Sequence, residues 1–164
     1  MKIVLIGFAC CYKTSAGELL AKKLNYAHID VDRMIEAGAG KSVAEIFAID
    51  GEGEFRKLER QALLSLIACD DIVVSCGGGS VLADGFKVFA EGATVVWLTA
   101  SADTVVSRLG GVARPLFDGK SVGDIAKLMD GRAQYYAEYA DLTVATDNLT
   151  SAQVSDILYS KLVK

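Results

Sequence analysis

Lys2-Ile3-Val4-Leu5-Ile6-Gly7-Phe8-Ala9-Cys10-Cys11-Tyr12-Lys13-Thr14 is an apolar run that breaks at a glycine and ends in Lys-Thr. The run has the character of a buried parallel strand. Beyond it, Ala16, Leu19, Leu20 and Leu24 recur at helical spacing. Strand, loop and helix in this order aim backbone N–H groups and a helix N-terminus at an anion. The full phosphate-loop pattern is Gly, four residues, Gly, Lys, Ser or Thr. Gly7, Lys13 and Thr14 match it, and Tyr12 stands where the second glycine belongs. In such a loop the lysine reaches the terminal phosphates and the Thr14 hydroxyl ligates Mg²⁺. A non-glycine residue held at positive φ costs roughly 1–3 kcal/mol, so the substitution points to weakened ATP binding or to a loop of another shape. The alternative is an ordinary β-turn-α unit.

Working outward, apolar strands alternate with helical patterns. Ala27–Val31, Ile72–Val74, Ala93–Leu98 and Leu142–Ala145 are further strands. Glu54–Ala68, with Phe55, Leu58, Ala62 and Leu66 on one face, is a helix, as are Asp124–Tyr139 and Ala152–Leu162. Thr150 and Gln153 have the spacing of a capping box. The alternation predicts an α/β fold, a parallel sheet with helices on both faces. Ligands of such sheets bind beyond the carboxyl ends of the strands. The unusual polar motifs all follow strands, so they should meet in one cleft.

Composition narrows the function. With 164 residues and a single proline, the chain suits one domain without linkers. A net charge of −4 with no basic block argues against nucleic-acid binding. No apolar run spans a membrane and no signal-peptide layout opens the chain, so the expectation is a cytoplasmic protein without a membrane partner. Monomer is the default. The four cysteines form no CxxC pair and His28 is the only histidine, so a structural zinc site is not expected. Cys69 and Cys76 fit a core. Cys10 and Cys11 read as small loop residues, with a redox-sensitive loop as the sharper alternative.

Four further features carry chemistry. Asp30-Val31-Asp32 ends the second strand, where alternation would put both carboxylates on one side, one for Mg²⁺ and one for a substrate hydroxyl. A solvated acidic turn is the plain alternative. Arg56 and Glu59 are spaced to pair on a helix, and a helical arginine over a cleft also suits a carboxylate. Gly77-Gly78-Gly79 after a strand suits close approach of a ligand to the backbone. Gly110–Gly119 reads as a flap carrying Arg114, and Arg132 lies towards the end of the helix before the fifth strand. Arginines at three separated places plus Lys13, in an acidic chain, point to an anionic substrate.

Together these fragments resemble shikimate kinase, within the nucleoside monophosphate kinase group of P-loop folds. The match runs nearly end to end. It takes in Lys13-Thr14, Asp30-Val31-Asp32 with Ile35-Glu36, Phe47 through Gly51-Glu52 to Phe55-Arg56 and Glu59, and Gly77-Gly78-Gly79. Arg114-Pro115-Leu116 and Arg132 with Tyr135 and Ala140-Asp141 complete it.

The resemblance implies one P-loop kinase domain over residues 1–164, a five-stranded parallel sheet of order 2-3-1-4-5, a lid near 110–122 and a shikimate-binding region near 31–60. It implies transfer of the ATP γ-phosphoryl group to the 3-hydroxyl of shikimate, a step of aromatic amino acid biosynthesis. Thr14 and, through water, Asp30 would hold Mg²⁺. Asp32 would orient or deprotonate the attacking hydroxyl. Arg56 and Arg132 would clamp the carboxylate, Gly77, Gly78 and Gly79 would touch the ring, and Phe47 and Phe55 would form the apolar wall. Ala9, Cys10, Cys11, Tyr12, Lys13, Thr14 and Ser15 would cradle ATP. Lys13 and Arg114 would stabilise charge on the transferred group, with Arg108 and the segment around Asp147 near adenine. The family reads Gly-x-x-Gly-x-Gly-Lys-Ser/Thr, so Cys10 and Tyr12 both replace glycines. That leaves two main readings: an active kinase whose loop tolerates the change, and a shikimate-binding protein with weak or lost catalysis. A small-molecule kinase for another substrate is opposed by the set of Arg56, Gly77-Gly78-Gly79 and Arg132.

Overall fold

The computed structural model describes residues 1–110 and 117–163. Its order is β1 (Lys2–Ile6), α1 (Lys13–Leu24), β2 (Ala27–Asp30), α2 (Val31–Ala39), α3 (Val43–Ile49), α4 (Glu52–Ser65), β3 (Ile72–Ser75), a 3₁₀ turn (Ser80–Leu82), α5 (Phe86–Ala90), β4 (Thr94–Thr99), α6 (Ala102–Leu109), α7 (Val122–Tyr139), β5 (Leu142–Ala145) and α8 (Ser151–Leu162). The sheet is parallel with order β2-β3-β1-β4-β5, as the resemblance implies.

The central strand β1 is buried along its length. Its side chains alternate between two cores, as strand geometry requires. Ile3 and Leu5 pack with Leu20 of α1 and Val154 and Leu158 of α8. Val4 and Ile6 pack with Val31, Leu63, Phe86 and Phe89 on the opposite face. Covering both faces makes three layers. No helix among the described residues is long and apolar enough to cross a membrane.

Helix starts are set by local hydrogen bonds. Thr150 and Gln153 form the expected capping box at α8, and Ser42–Glu45 and Ser121–Asp124 form others at α3 and α7. At the second strand the structure departs from expectation. Asp30 Oδ1 accepts from the Arg33 amide at 3.0 Å and caps α2. Asp30 and Asp32 therefore do not alternate along a strand; Asp30 caps the helix and Asp32 lies in its first turn. Arg132 lies well inside α7 rather than near its end.

Candidate active site

Three connections converge because β3, β1 and β2 are neighbours: the loop after β1, the α2 start after β2 and the glycines after β3. The first loop leaves β1 at Gly7, whose φ is 142°; a Cβ there would lie 2.2 Å from the Leu98 carbonyl oxygen. No larger residue fits. Cys10 and Tyr12 take φ of 61° and 64°, the left-handed region that glycine enters freely. The backbone thus has positive φ at both positions where the resemblance implies glycine.

Tyr12 precedes α1 and gives it no side-chain cap, so the first amides of α1 suit an anion. Lys13 Nζ donates to the carbonyls of Gly7 and Phe8 at 2.8 and 2.7 Å. Ser75 Oγ donates to the Lys13 carbonyl at 2.7 Å, so its contact with His28 Nε2 at 2.9 Å has histidine as donor. Thr14 Oγ1 donates to Asp30 Oδ2 at 2.5 Å, pairing the two residues expected at a metal. Among the described residues no group of three or more His, Cys, Asp or Glu forms a metal cluster. Magnesium bound mainly by phosphate and water needs none. Of the cysteines, Cys11 and Cys76 are buried and Cys10 and Cys69 half-buried; burial raises the Cys11 thiol pKa.

The second loop gathers charge. A Cβ on Gly77 would lie 2.9 Å from Asp32 Oδ1, one on Gly78 3.3 Å from Arg132 Nη1, and one on Gly79 3.0 Å from Arg56 Nη2. Each glycine leaves room for one charged side chain. Burial, followed by repulsion from Asp30 and Glu59, pushes the Asp32 carboxyl up to about 6. Arg56 Nη1 donates to Glu59 Oε2 at 2.7 Å, and Ser80 Oγ donates to Glu59 Oε1 at 2.7 Å. Glu59 is only 1% exposed, so this is a buried brace rather than a surface pair. Phe55 and Phe47 stack at 4.8 Å, with Phe55 buried and Phe47 partly open. Tyr136 was not foreseen as a site residue. Its hydroxyl donates to the Gly78 carbonyl at 2.5 Å, and its spacing of four from Arg132 on one helix is the signal that puts both on that loop.

The remaining expectations fall farther out. Arg108 lies over the Tyr12 ring, with Cζ 3.9 Å from its centroid. Asp147 accepts from the Ser101 amide and the Thr104 hydroxyl, which hold its carboxyl down at about 2. Arg114, with the rest of residues 111–116 of the expected lid, lies outside the described residues. Beyond those residues the segment resumes at Phe117, which packs on Phe8 at 5.4 Å.

A family model described as shikimate kinase matches residues 9–162. The chain belongs to the shikimate kinase family. It is 41% identical to a shikimate kinase of Moorella thermoacetica over 93% of this chain and 89% of the relative. It is 39% identical to one of Salinispora arenicola over 93% and 92%. A structure of shikimate kinase from Acinetobacter baumannii in complex with shikimate superposes with a TM-score of 0.91 at 27% identity, covering 98% of this chain and 92% of that one. The family is one of phosphotransferases that use ATP as co-substrate.

Proposed function

We propose that this member of the shikimate kinase family transfers the γ-phosphoryl group of ATP to the 3-hydroxyl of shikimate, at the junction of the two loops. The observation that carries the proposal is the gathering of Asp32, Arg132 and Arg56 over three consecutive glycines beside the phosphate loop. Two guanidinium groups suit the single carboxylate of the ring acid. Asp32, with its carboxyl pushed up to about 6, takes the proton of the attacking hydroxyl, because its basicity lies near neutral pH. The amides at the start of α1 hold the triphosphate, and Lys13 moves from the Gly7 and Phe8 carbonyls to its oxygens. Thr14 and Asp30 are the residues to hold Mg²⁺, which when bound neutralises phosphate charge. Phe55 and Phe47 form the wall against the apolar face of the ring.

The retained left-handed backbone at Cys10 and Tyr12 favours an active enzyme over a protein that only binds shikimate. The test is a coupled assay of purified protein with Mg-ATP and shikimate. Turnover that Arg132→Ala abolishes is expected. Shikimate binding in calorimetry without turnover at millimolar ATP overturns the catalytic reading.

A further inference from the structure

We propose that Arg108 is a positioning residue that grips the two residues replacing loop glycines and so holds the phosphate loop in its binding shape. This rests on the reading of residues 7–14 as the triphosphate site. The guanidinium plane stacks on Tyr12, with Cζ 3.9 Å from the ring centroid. Its Nη1 donates to the Cys10 carbonyl at 2.9 Å. One side chain therefore touches both positions of strained φ. Its other bonds tie it to the sheet: Nη1 donates to Thr146 Oγ1 at 2.9 Å and Nη2 to the Thr146 carbonyl at 2.6 Å.

Thr146 is a firm anchor. It is fully buried, and its hydroxyl and amide both donate to the Thr99 carbonyl at 2.8 Å. The helix that carries Arg108 is fixed at its other end, where Asp147 accepts from Ser101 and Thr104. Loop, α6 and the ends of β4 and β5 thus form one closed set of contacts. A stack over an aromatic face has the same order of magnitude as the strain of one left-handed residue, so the grip offsets a substantial part of what the two missing glycines cost. Lysine does not replace it, because an ammonium has neither the plane nor the fork. The resemblance puts Arg108 beside adenine; here its face and three donor contacts are taken by protein groups.

The experiment uses inorganic tripolyphosphate, which has no base. Its dissociation constant is measured in Mg²⁺ buffer by calorimetry for the full chain. In the natural loop, Arg108→Ala and Arg108→Lys are each expected to weaken binding about tenfold. In a Cys10→Gly/Tyr12→Gly loop, Arg108→Lys is expected to cost less than about twofold, because no strained side chain remains to be held. Equal costs of Arg108→Lys in both loops, or unchanged tripolyphosphate binding in the natural loop, overturn the grip. An Arg108 that touches only the base gives the second of these results, with ATP binding alone weakened. Should the Arg108 variants fail to fold, Tyr12→Leu keeps a strained residue and loses the stack. It is expected to weaken tripolyphosphate about tenfold, and unchanged binding overturns the proposal. If the natural protein does not bind tripolyphosphate at all, the phosphate-loop reading itself falls, and the grip with it.

Discussion

In the loop after β1, two residues with side chains hold left-handed backbone; in the loop after β3, three glycines hold none. The first loop has its shape without glycine at Cys10 and Tyr12, and a stacked arginine lies over the substitution. The second needs glycine for volume rather than conformation, since Asp32, Arg132 and Arg56 fill the space that Cβ atoms would take. A glycine kept for conformation can be exchanged at the cost of strain, which another contact can offset. A glycine kept for volume cannot be exchanged without moving its neighbour. The two halves of the site should therefore respond differently to substitution.

The largest expected effect falls on the ring side. Asp32→Asn removes the proposed proton acceptor and keeps the shape, so kcat should drop about 10²–10⁴-fold with little change in either KM. Steady-state kinetics check this; a fall below threefold would mean that another group takes the proton. Next comes Glu59→Ala. It strips Arg56 and Ser80 of a buried partner and should cost about 3 kcal/mol in urea denaturation. A cost under about 1 kcal/mol would show the brace to be no stronger than a surface pair. Gly79→Ala then tests the volume argument itself. Its Cβ would lie 3.0 and 3.1 Å from the Arg56 amino groups, and the shift should raise the KM for shikimate on the order of 10–100-fold with ATP affinity unchanged. Equal damage to both substrates would break the division into halves.

Much of this architecture was legible in the residues. All five strands, the α8 capping box, the Arg56–Glu59 pair and the meeting of the loops follow from apolar runs, spacing and the rule for open sheets. The misread stretch is Asp30-Val31-Asp32. A β-branched residue between two acids looks like a strand end, but the Asp30 carboxylate caps the Arg33 amide and starts a helix at Val31. The same stretch held its own warning, since aspartate is a preferred N-cap. The Ser42–Glu45 box at α3 was equally readable and was missed. The contact of Arg108 with the loop was not readable. It joins residues 98 apart in sequence, and no local pattern marks which distant side chain will lie over Tyr12.

Ionisation of Asp32 gives a smaller effect that separates function from stability. The carboxyl rises from its ordinary 3.8 to about 6 in the folded chain. The folded state thus holds that proton more tightly than the unfolded state, and stability is lost as pH rises from about 4 to about 6. Activity has the opposite sign if Asp32 is the base as proposed, because a base must be ionised, so kcat should rise as pH passes through about 6. Asp32→Asn should be more stable than the natural protein above that interval, by about 1 kcal/mol. Thermal melts of both proteins across the window check it. A variant less stable than the natural protein at neutral pH would mean that the ionised carboxylate is favourably paired.

The smallest expected effect is also the sharpest test of the first loop. Considered by strain alone, Tyr12→Gly should tighten ATP binding, because a left-handed tyrosine costs roughly 1–3 kcal/mol. Considered with its neighbour, the same change removes the stack under Arg108, worth about 0.5–2 kcal/mol. The two contributions oppose each other and nearly cancel, so the KM for ATP should move by less than about threefold. The KM for shikimate should not move, since Tyr12 lies on the phosphate side. A tenfold gain in ATP affinity would show that the stack contributes nothing and that the loop carries uncompensated strain. A tenfold loss would show that the aromatic ring contributes more than the strain takes away, so that the tyrosine stabilises the binding shape. A parallel shift in both constants would mean that the loops move together, and that the contrast between conformation and volume does not divide the site.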